Sequence, residues 1–192
     1  MHKKKFQNYK YLEDLTEQIL DLDTSKINKI SQIFLKKFNQ KKNIFICGNG
    51  GSAANADHIS NDLMLGLNKR KKGVKIISLN SNIPKLTCIA NDIGYDSIYS
   101  HQLNLLGSRG DLLIVLSGSG NSKNIINALR AAKKKKMFSF GLLGYDGGKS
   151  IKLCDDFIHF RINDMQVSED LQLITMNQVM KILSKQPKIE KF

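Results

Sequence analysis

Apolar positions in the first forty residues recur at the three- and four-residue spacing of amphipathic helices. The pattern breaks once, at Asp23-Thr24-Ser25, where short polar side chains are typical of a helix N-cap. The sequence therefore predicts two opening helices within residues 8–40. Their apolar positions are Leu12, Leu15, Ile19 and Leu22 in the first, and Ile27, Ile30, Ile33, Phe34 and Phe38 in the second.

Beyond residue 40 the pattern changes to short apolar runs that alternate with helical segments. Strands that alternate with helices form a parallel sheet with helices on both faces, and right-handed crossovers make it a doubly wound, three-layer α/β sandwich. We expect one domain over residues 1–192, with helices in 1–40, the sheet and its covering helices in 41–185, and a frayed tail in 186–192. The predicted strands are residues 44–47, 74–79, 112–116, 138–143 and 157–160, and the helices between and after them are 53–67, 83–90, 97–106, 123–134 and 166–184.

Length and composition agree with this fold class. A chain of 192 residues with 41% apolar residues and 14 glycines is in the ordinary globular range, which argues against disorder. No run of about 18 apolar residues is present, and the N-terminus lacks the apolar stretch of a secretory signal, so we expect a cytoplasmic protein with no membrane partner. The odd count of cysteines, without a C-x-x-C pair, predicts reduced and mostly buried thiols at Cys47, Cys88 and Cys154.

The formal net charge of +13 raises the question of an anionic partner. Only four of the thirty basic residues are arginine, the residue best suited to bidentate readout of bases and phosphates. No zinc finger, recognition helix or aromatic ribonucleoprotein motif accompanies the charge. A nucleic-acid partner is therefore not expected. The lysines indicate a solvated surface, while a general attraction of anions stays open.

Two turns carry the chemistry. Gly48-Asn49-Gly50-Gly51-Ser52 follows the first predicted strand, and Ser117-Gly118-Ser119-Gly120-Asn121-Ser122 follows the third. Each one places glycine amides and hydroxyls at a helix N-terminus, where a phosphate binds favourably. Neither turn matches G-x-G-x-x-G or a P-loop, so no nucleotide cofactor is expected. Either turn alone fits a tight turn with a serine N-cap, but two such turns at one edge of a parallel sheet favour an anion site.

Three segments together, residues 47–58, 90–95 and 116–122, resemble the sugar-isomerase (SIS) domain family, specifically its phosphoheptose isomerase branch. The resemblance is collinear from about residue 10 to 185. It implies a homotetramer with active sites between subunits and a phosphorylated sugar as substrate. Its implied phosphate ligands are Ser52, Ser117, Ser119 and Ser122, and it implies that Asn49 and Asp92 line the sugar site. Our further substrate-binding candidates are Gly50, Gly51, Gly118 and Gln172.

Isomerisation of a ketose phosphate moves a proton between adjacent carbons through an enediol, which requires a base and a group that polarises the carbonyl. His58 and Asp62 are four residues apart on one helix face, and Glu169 and Asn177 lie eight apart on the last helix. The family carries His and Glu on the first of these helices and Gln and His on the last, around a zinc ion or an acid/base pair. This chain therefore departs at Asp62, Glu169 and Asn177.

Each departure changes the expected chemistry. Asp62 is one methylene shorter than glutamate, which withdraws its carboxylate by about 1.5 Å. Glu169 supplies a carboxylate from the other side and is our candidate for the base, with Asp62 and His58 as further catalytic candidates. The same three residues are a candidate zinc site with one open position, whereas the amide of Asn177 is a poor ligand. The alternatives are a His58 paired with Asp57 or Asp62, and a solvated helix face for Glu169 and Gln172.

The predicted function is the isomerisation of sedoheptulose 7-phosphate to D-glycero-D-manno-heptose 7-phosphate, for the heptose of a surface polysaccharide. Two alternatives stay open. One is an isomerase or epimerase for a different phosphosugar. The other is a non-catalytic member that binds a sugar phosphate or a protein partner, such as a replication initiator. Independently of the family, apolar residues on more than one face of the opening helices predict packing against another subunit.

Overall fold

The computed structural model describes residues 9–68 and 75–185. Its five strands form one sheet in which every neighbouring pair is parallel, in the order β2-β1-β3-β4-β5. The predicted α/β class and strand number are confirmed. The tail 186–192 and Val74 of the predicted second strand lie outside the described residues. The strands are β1 (Asn43–Gly48), β2 (Lys75–Ser78), β3 (Leu112–Ser117), β4 (Phe138–Leu143) and β5 (Asp156–His159).

The helices follow the predicted segments closely. Two of them start with a capped N-terminus: the side chain of Asp23 accepts from the Lys26 N–H, as its position predicted, and Asn82 does the same for Lys85. The third begins two residues earlier than expected, so that Gly51 belongs to the helix. The helices are α1 (Lys10–Leu20), α2 (Thr24–Asn39), α3 (Gly51–Asn68), α4 (Ile83–Asp92), α5 (Ile98–Leu106), α6 (Lys123–Lys134) and α7 (Met165–Lys185), with 3₁₀ turns at Tyr95–Ser97 and Ser150–Lys152.

Two apolar cores cover the two faces of the sheet. Because successive strand residues point to opposite faces, Ile44 and Ile46 join one core while Phe45 and Cys47 join the other. The first core contains the apolar faces of α2, α3 and α7, and the second those of α4, α5 and α6. The central strands are therefore buried on both sides and hold their carboxyl ends in fixed positions.

The strand order determines where a ligand can bind. From β1 the chain runs to β2 on one side, then crosses back to β3 on the other side. The carboxyl ends of β1 and β3 therefore lie next to each other at the topological switch point, which is the preferred ligand crevice of open α/β sheets. Both glycine-serine turns begin there.

The opening helices differ in burial. The apolar residues of α2 pack into the protomer's own core, whereas α1 has no buried residue and leaves Leu20 80% exposed. Tyr11 connects α1 to α7 through a hydrogen bond to Asp170.

Of the cysteines, Cys47 is buried and Cys154 is half-buried, but Cys88 is exposed, contrary to the expectation for that thiol. Within residues 9–68 and 75–185, no helix has the length and apolar character needed to cross a membrane.

Candidate active site

The first turn needs glycine at two positions for different reasons. Gly50 has a φ of +57°, a left-handed conformation that glycine adopts without strain. Gly51 is required by a close approach, since a Cβ there would lie 2.1 Å from Oε2 of Glu169. The structure therefore brings together two predicted site residues, Gly51 and Glu169, that are far apart in the chain. The carboxylate of Glu169 lies at the N-terminus of α3.

Ser52 holds that carboxylate. Its backbone N–H donates to Glu169 Oε1 at 2.9 Å, and its hydroxyl donates to the same oxygen at 3.3 Å. The Ser52 hydroxyl also accepts from Gln172 Nε2 at 3.1 Å, and the residue is 2% exposed. The expectation that Ser52 binds the substrate phosphate therefore does not fit the protomer, because its donors serve Glu169.

In the protomer, the side chain of Gln172 bonds to neighbouring protein groups instead of facing the substrate crevice, where it was expected. It is fully buried, and its Oε1 accepts from Asn55 Nδ2 at 3.1 Å, while Asn55 also donates to the backbone oxygen of Glu169 at 2.9 Å. The alternative of a solvated helix face is equally wrong for Gln172. Together Asn55 and Gln172 connect α3 to α7 and fix the position of Glu169.

The second turn leaves its hydroxyls for a ligand. The oxygens of Ser117 and Ser119 accept from the N–H groups of Gly120 and Asn121, at 3.0 and 3.3 Å. Those contacts orient the two hydroxyl groups without using their protons. Ser122 is the N-cap residue of α6, yet its side chain makes no capping hydrogen bond. Three hydroxyl donors therefore surround one helix N-terminus, which is an arrangement suited to phosphate.

The loop that follows β4 packs against the second turn and holds it in place. Gly120 has a φ of +63°, and a Cβ there would lie 2.1 Å from the backbone oxygen of Gly147. Ser150 donates to the backbone oxygen of Gly120 from both its N–H and its hydroxyl, at 3.0 and 2.7 Å. The Lys149 N–H donates to Asn121 Oδ1 at 3.0 Å. The turn is thus held in one conformation before any ligand arrives.

Asn49 in the first turn is connected to the second by a residue that sequence reasoning missed. The amides of Asn49 and Asn124 donate to each other reciprocally, each at 2.8 Å, and Asn124 is 1% exposed. The hydroxyls of Tyr95 and Tyr99 also lie 3.1 Å from Asn49 Oδ1. The four-residue spacing of these tyrosines was a usable signal, because it places both side chains on one side of a helical segment.

Asn80 and Tyr99 hold the end of β1. Asn80 accepts from the Gly48 N–H at 3.2 Å and donates to the Gly48 backbone oxygen at 2.9 Å and to the Tyr99 hydroxyl at 2.8 Å. Tyr99 also donates to the Gly48 oxygen. Burial raises the pKa of Tyr99, so its hydroxyl keeps its proton. The backbone that presents Asn49 is therefore fixed from two sides.

His58 and Asp62 form a pair of their own. His58 Nε2 lies 3.3 Å from Asp62 Oδ2, and both side chains are accessible to solvent. Asp57, the other carboxylate considered for His58, accepts from the Ser78 hydroxyl. His58 lies six residues after Ser52 along α3, which separates it by about 9 Å from the turn that binds Glu169.

The zinc hypothesis combines this pair with Glu169. A tetrahedral zinc ion needs its ligand atoms about 2.0–2.3 Å from the metal, so three donor side chains must come together at one point. Among the residues that the structure describes, no three His, Cys, Asp or Glu side chains come together in a group able to hold a metal. The donors of one protomer do not fit the ion.

Two further candidates lie at the surface. Asp92, at the end of α4, is exposed, and hydrogen bonds from Asn91 and Cys88 hold its pKa below the ordinary value. Its segment reaches the site through Tyr95, not through Asp92 itself. Asn177 on α7 is also exposed. Neither side chain contributes to the hydrogen-bond network around Asn49 and Glu169.

Comparison with known proteins agrees with this geometry. The family model described as SIS domain matches residues 7–144. The chain is 34% identical over 171 residues to the phosphoheptose isomerase of Aliarcobacter butzleri, covering 89% of this chain and 90% of that protein. It is 38% identical over 153 residues to that of Helicobacter pylori strain 26695, covering 80% of this chain and 78% of that protein.

A solved structure gives the same result in three dimensions. The phosphoheptose isomerase of Neisseria gonorrhoeae superimposes with a TM-score of 0.84 and 26% sequence identity, covering 92% of this chain and 95% of that one. The expected resemblance is confirmed in both sequence and structure. The chain therefore belongs to the SIS domain family, in its phosphoheptose isomerase branch.

Proposed function

We propose that this sugar-phosphate isomerase converts sedoheptulose 7-phosphate to D-glycero-D-manno-heptose 7-phosphate by proton transfer through an enediol. The relatives named phosphoheptose isomerase support an enzyme that acts on a heptose phosphate. The observation that carries the proposal is the neighbouring placement of three serine hydroxyls and one fixed carboxylate at the switch point of the sheet.

The phosphate binds at the second turn. Ser117, Ser119 and Ser122 donate their hydroxyl protons to it, and the N-terminus of α6 adds favourable partial charge. Since β1 and β3 are adjacent strands, about 4.8 Å apart, the carbon chain of the sugar extends from this turn across the first.

Glu169 is the base. It removes a proton from C1 of the ketose, and the electron pair forms the C1–C2 double bond while the C2 carbonyl oxygen takes the negative charge of an enediolate. The O1 hydroxyl proton then passes to O2, and the same carboxyl group returns the first proton to C2 as C1 becomes the aldehyde. Ser52 and Gly51 hold the carboxylate at the first turn, so that it needs no reorganisation when substrate binds. The surface-polysaccharide pathway, which the relatives' names do not state, is part of this proposal.

The test compares two amide variants of carboxylates. Glu169→Gln keeps an oxygen that accepts from the Ser52 N–H, so the fold and the phosphate affinity are retained while the base is lost. We expect turnover of sedoheptulose 7-phosphate to fall by at least about 100-fold, with little change in affinity. Asp62→Asn, about 15 Å along α3 from Ser52, is the matched control and should retain most of the turnover.

The opposite order of turnover losses in the two variants would assign the catalytic base to a different residue. If Asp62→Asn loses turnover and Glu169→Gln does not, the proton is transferred by the His58–Asp62 pair. If the wild-type enzyme isomerises another phosphosugar and leaves the heptose unchanged, the proposed substrate is wrong while the site assignment stands.

A further inference from the structure

The side chain of Asn49 has its oxygen turned away from the ligand crevice. Asn49 Oδ1 accepts from Asn124 Nδ2 at 2.8 Å and from the Tyr95 hydroxyl at 3.1 Å. An amide oxygen has two lone pairs, and these two donors fill both of them. The Tyr99 hydroxyl is also 3.1 Å away, but it gives its single proton to the Gly48 backbone oxygen.

The orientation of Asn124 follows from the backbone. Its Oδ1 accepts from the Ile125 N–H at 2.9 Å, which fixes this atom as the acceptor and leaves Nδ2 as the donor. A rotated Asn49 amide would then place its own NH₂ against the NH₂ of Asn124. The buried pair therefore allows one arrangement, in which Asn49 Nδ2 donates a single proton to Asn124 Oδ1 at 2.8 Å.

One proton of Asn49 stays available. Within the described part of the chain, its second Nδ2 proton has no acceptor, and Asn49 lies between Gly48 and the exposed Gly50, at the end of β1. We propose that Asn124 and Tyr95 are positioning residues that make Asn49 a donor only, and that Asn49 donates to the substrate oxygen that becomes negatively charged in the enediolate. The inference rests on the proposed function, since it assigns a role within the same site.

The orientation of the Asn49 amide matters because the reacting substrate oxygen becomes negatively charged. Removing the C1 proton shifts electrons onto the C2 carbonyl oxygen, and a preorganised N–H donor stabilises that oxygen. An amide oxygen at the same place would repel it. Asn124 also joins α6, which begins at the phosphate turn, to the first turn. The residue thus couples the group that binds the phosphate to the group that stabilises the reacting oxygen.

The test is a double-mutant cycle of Asn49→Ala and Asn124→Asp, read as solvent deuterium exchange into sedoheptulose 7-phosphate. Aspartate at 124 keeps the acceptor for Ile125 but replaces the N–H donor to Asn49 Oδ1 with a carboxylate oxygen, so the Asn49 amide loses one of the two hydrogen bonds that fix its orientation. Each single variant should lose about 100- to 1,000-fold in rate, the loss on removing one such donor. The double variant should lose no more than Asn49→Ala alone, because Asn124 acts through Asn49.

Controls separate positioning from folding. Asn104→Asp, which makes the same change at an exposed amide on α5, should leave the rate unchanged. Affinity for inorganic phosphate should stay within twofold in Asn49→Ala and Tyr95→Phe, since both leave the second turn and the charge of α6 unchanged. If Asn124→Asp does not fold, Tyr95→Phe replaces it in the cycle. Tyr95 is 58% exposed, so that variant folds, and its smaller loss should vanish in the Asn49→Ala background.

Losses that multiply in the double variant would overturn the inference, as would an Asn124→Asp enzyme with the wild-type rate. If the proposed function itself is wrong, the wild-type protein exchanges no deuterium, and this result distinguishes that failure from failure of the inference. In that case the same cycle is read by calorimetry as affinity for sedoheptulose 7-phosphate, where non-multiplying losses support the role of Asn124 and multiplying losses contradict it.

Discussion

At the scale of single residues, the site is determined by which partner uses each donor and acceptor. Ser52 and Ser119 illustrate the contrast. Both are serines in glycine-rich turns at strand ends, but Ser52 gives its N–H and hydroxyl to Glu169, whereas Ser119 accepts one backbone N–H and keeps its proton. Similar motifs therefore hold an internal carboxylate in one turn and leave donors for a phosphate in the other.

Phosphate affinity should follow this division. Ser119→Ala or Ser122→Ala should weaken binding of the sugar phosphate by about 1.5–3 kcal/mol, the range for a hydrogen bond to a charged group. Ser52→Ala should reduce affinity less and turnover more, because it removes the hydroxyl contact to Glu169 and leaves the N–H contact alone. Isothermal titration and steady-state kinetics measure the two effects. Changing Lys133–Lys136 to glutamine is the control, and losses equal to those of the serine variants would show that general positive charge binds the phosphate.

The sequence predicted the turns but not their hydrogen bonds. Glycine spacing and strand ends are local signals, so the anion-binding character of residues 117–122 was accessible from the chain alone. The partner of Ser52 is Glu169, 117 positions away, and the partner of Asn49 is Asn124, 75 positions away. Such pairs depend on how helices pack. Gln172 was misassigned for this reason, since helical periodicity does not say which polar residue is buried.

At the scale of elements, helix α2 is attached to the edge strand β5 by one carboxylate. Asp156 is buried and pairs with Lys26 at 3.1 Å and with Lys29 at 2.7 Å. Lys26 also donates to the Phe157 backbone oxygen at 2.7 Å and lies over the Phe157 ring. Burial alone would raise the pKa of Asp156, but the two ammonium groups and the Phe157 N–H outweigh it and hold the pKa below its ordinary value.

Removing this carboxylate should destabilise the protein in a pH-dependent way. Asp156→Asn should lower the free energy of unfolding by about 1.5–3 kcal/mol at pH 7. Since the folded-state pKa is depressed, the wild-type advantage is complete above the ordinary pKa and disappears as pH falls through the folded value, below about pH 4. Urea unfolding at several pH values measures it. Asp14→Asn, which breaks an i,i+4 pair with the exposed Lys10, should cost much less than Asp156→Asn.

A difference in unfolding free energy between wild type and Asp156→Asn that grows on acidification would contradict this account.

Helices and strands were the most predictable level of the structure. Residues 123–134 and 138–143 are a helix and a strand with the predicted bounds, because their periodicity is clear and their ends carry turn residues. Strand β5 begins one residue earlier than predicted. The polar side chain of Asp156 is typical of a loop, but its two lysine partners allow it to be buried in a strand.

At the scale of the whole molecule, several apolar side chains remain uncovered in one protomer. On α1, Leu12 and Leu20 are 50% and 80% exposed, and on α5 Leu105 is 73% exposed. The sequence predicted this surplus on both opening helices, but α2 buries its apolar residues in the protomer's own core, since α7 packs against it. The surplus thus lies on α1 and on α5.

We expect these surfaces to assemble the chain into a homotetramer, because burial of apolar area is the main favourable contribution to association. Sedimentation equilibrium at micromolar concentration should give the mass of four chains. Leu12→Asp together with Leu20→Asp should shift the equilibrium to smaller species, while the exposed polar change Gln32→Asp on α2 should not. A stable wild-type monomer would contradict the expectation and confine every catalytic group to one protomer.

The central claim is that Glu169 and the two turns move a proton through an enediol. The most direct measurement is incubation of the wild-type enzyme with sedoheptulose 7-phosphate in deuterium oxide, followed by mass spectrometry and proton NMR of the recovered sugars. The account predicts deuterium at C2 of the aldose product and at C1 of the recovered ketose. It predicts a rate at least about 100-fold lower in Glu169→Gln. Tight binding of the ketose phosphate without any deuterium uptake would contradict the account.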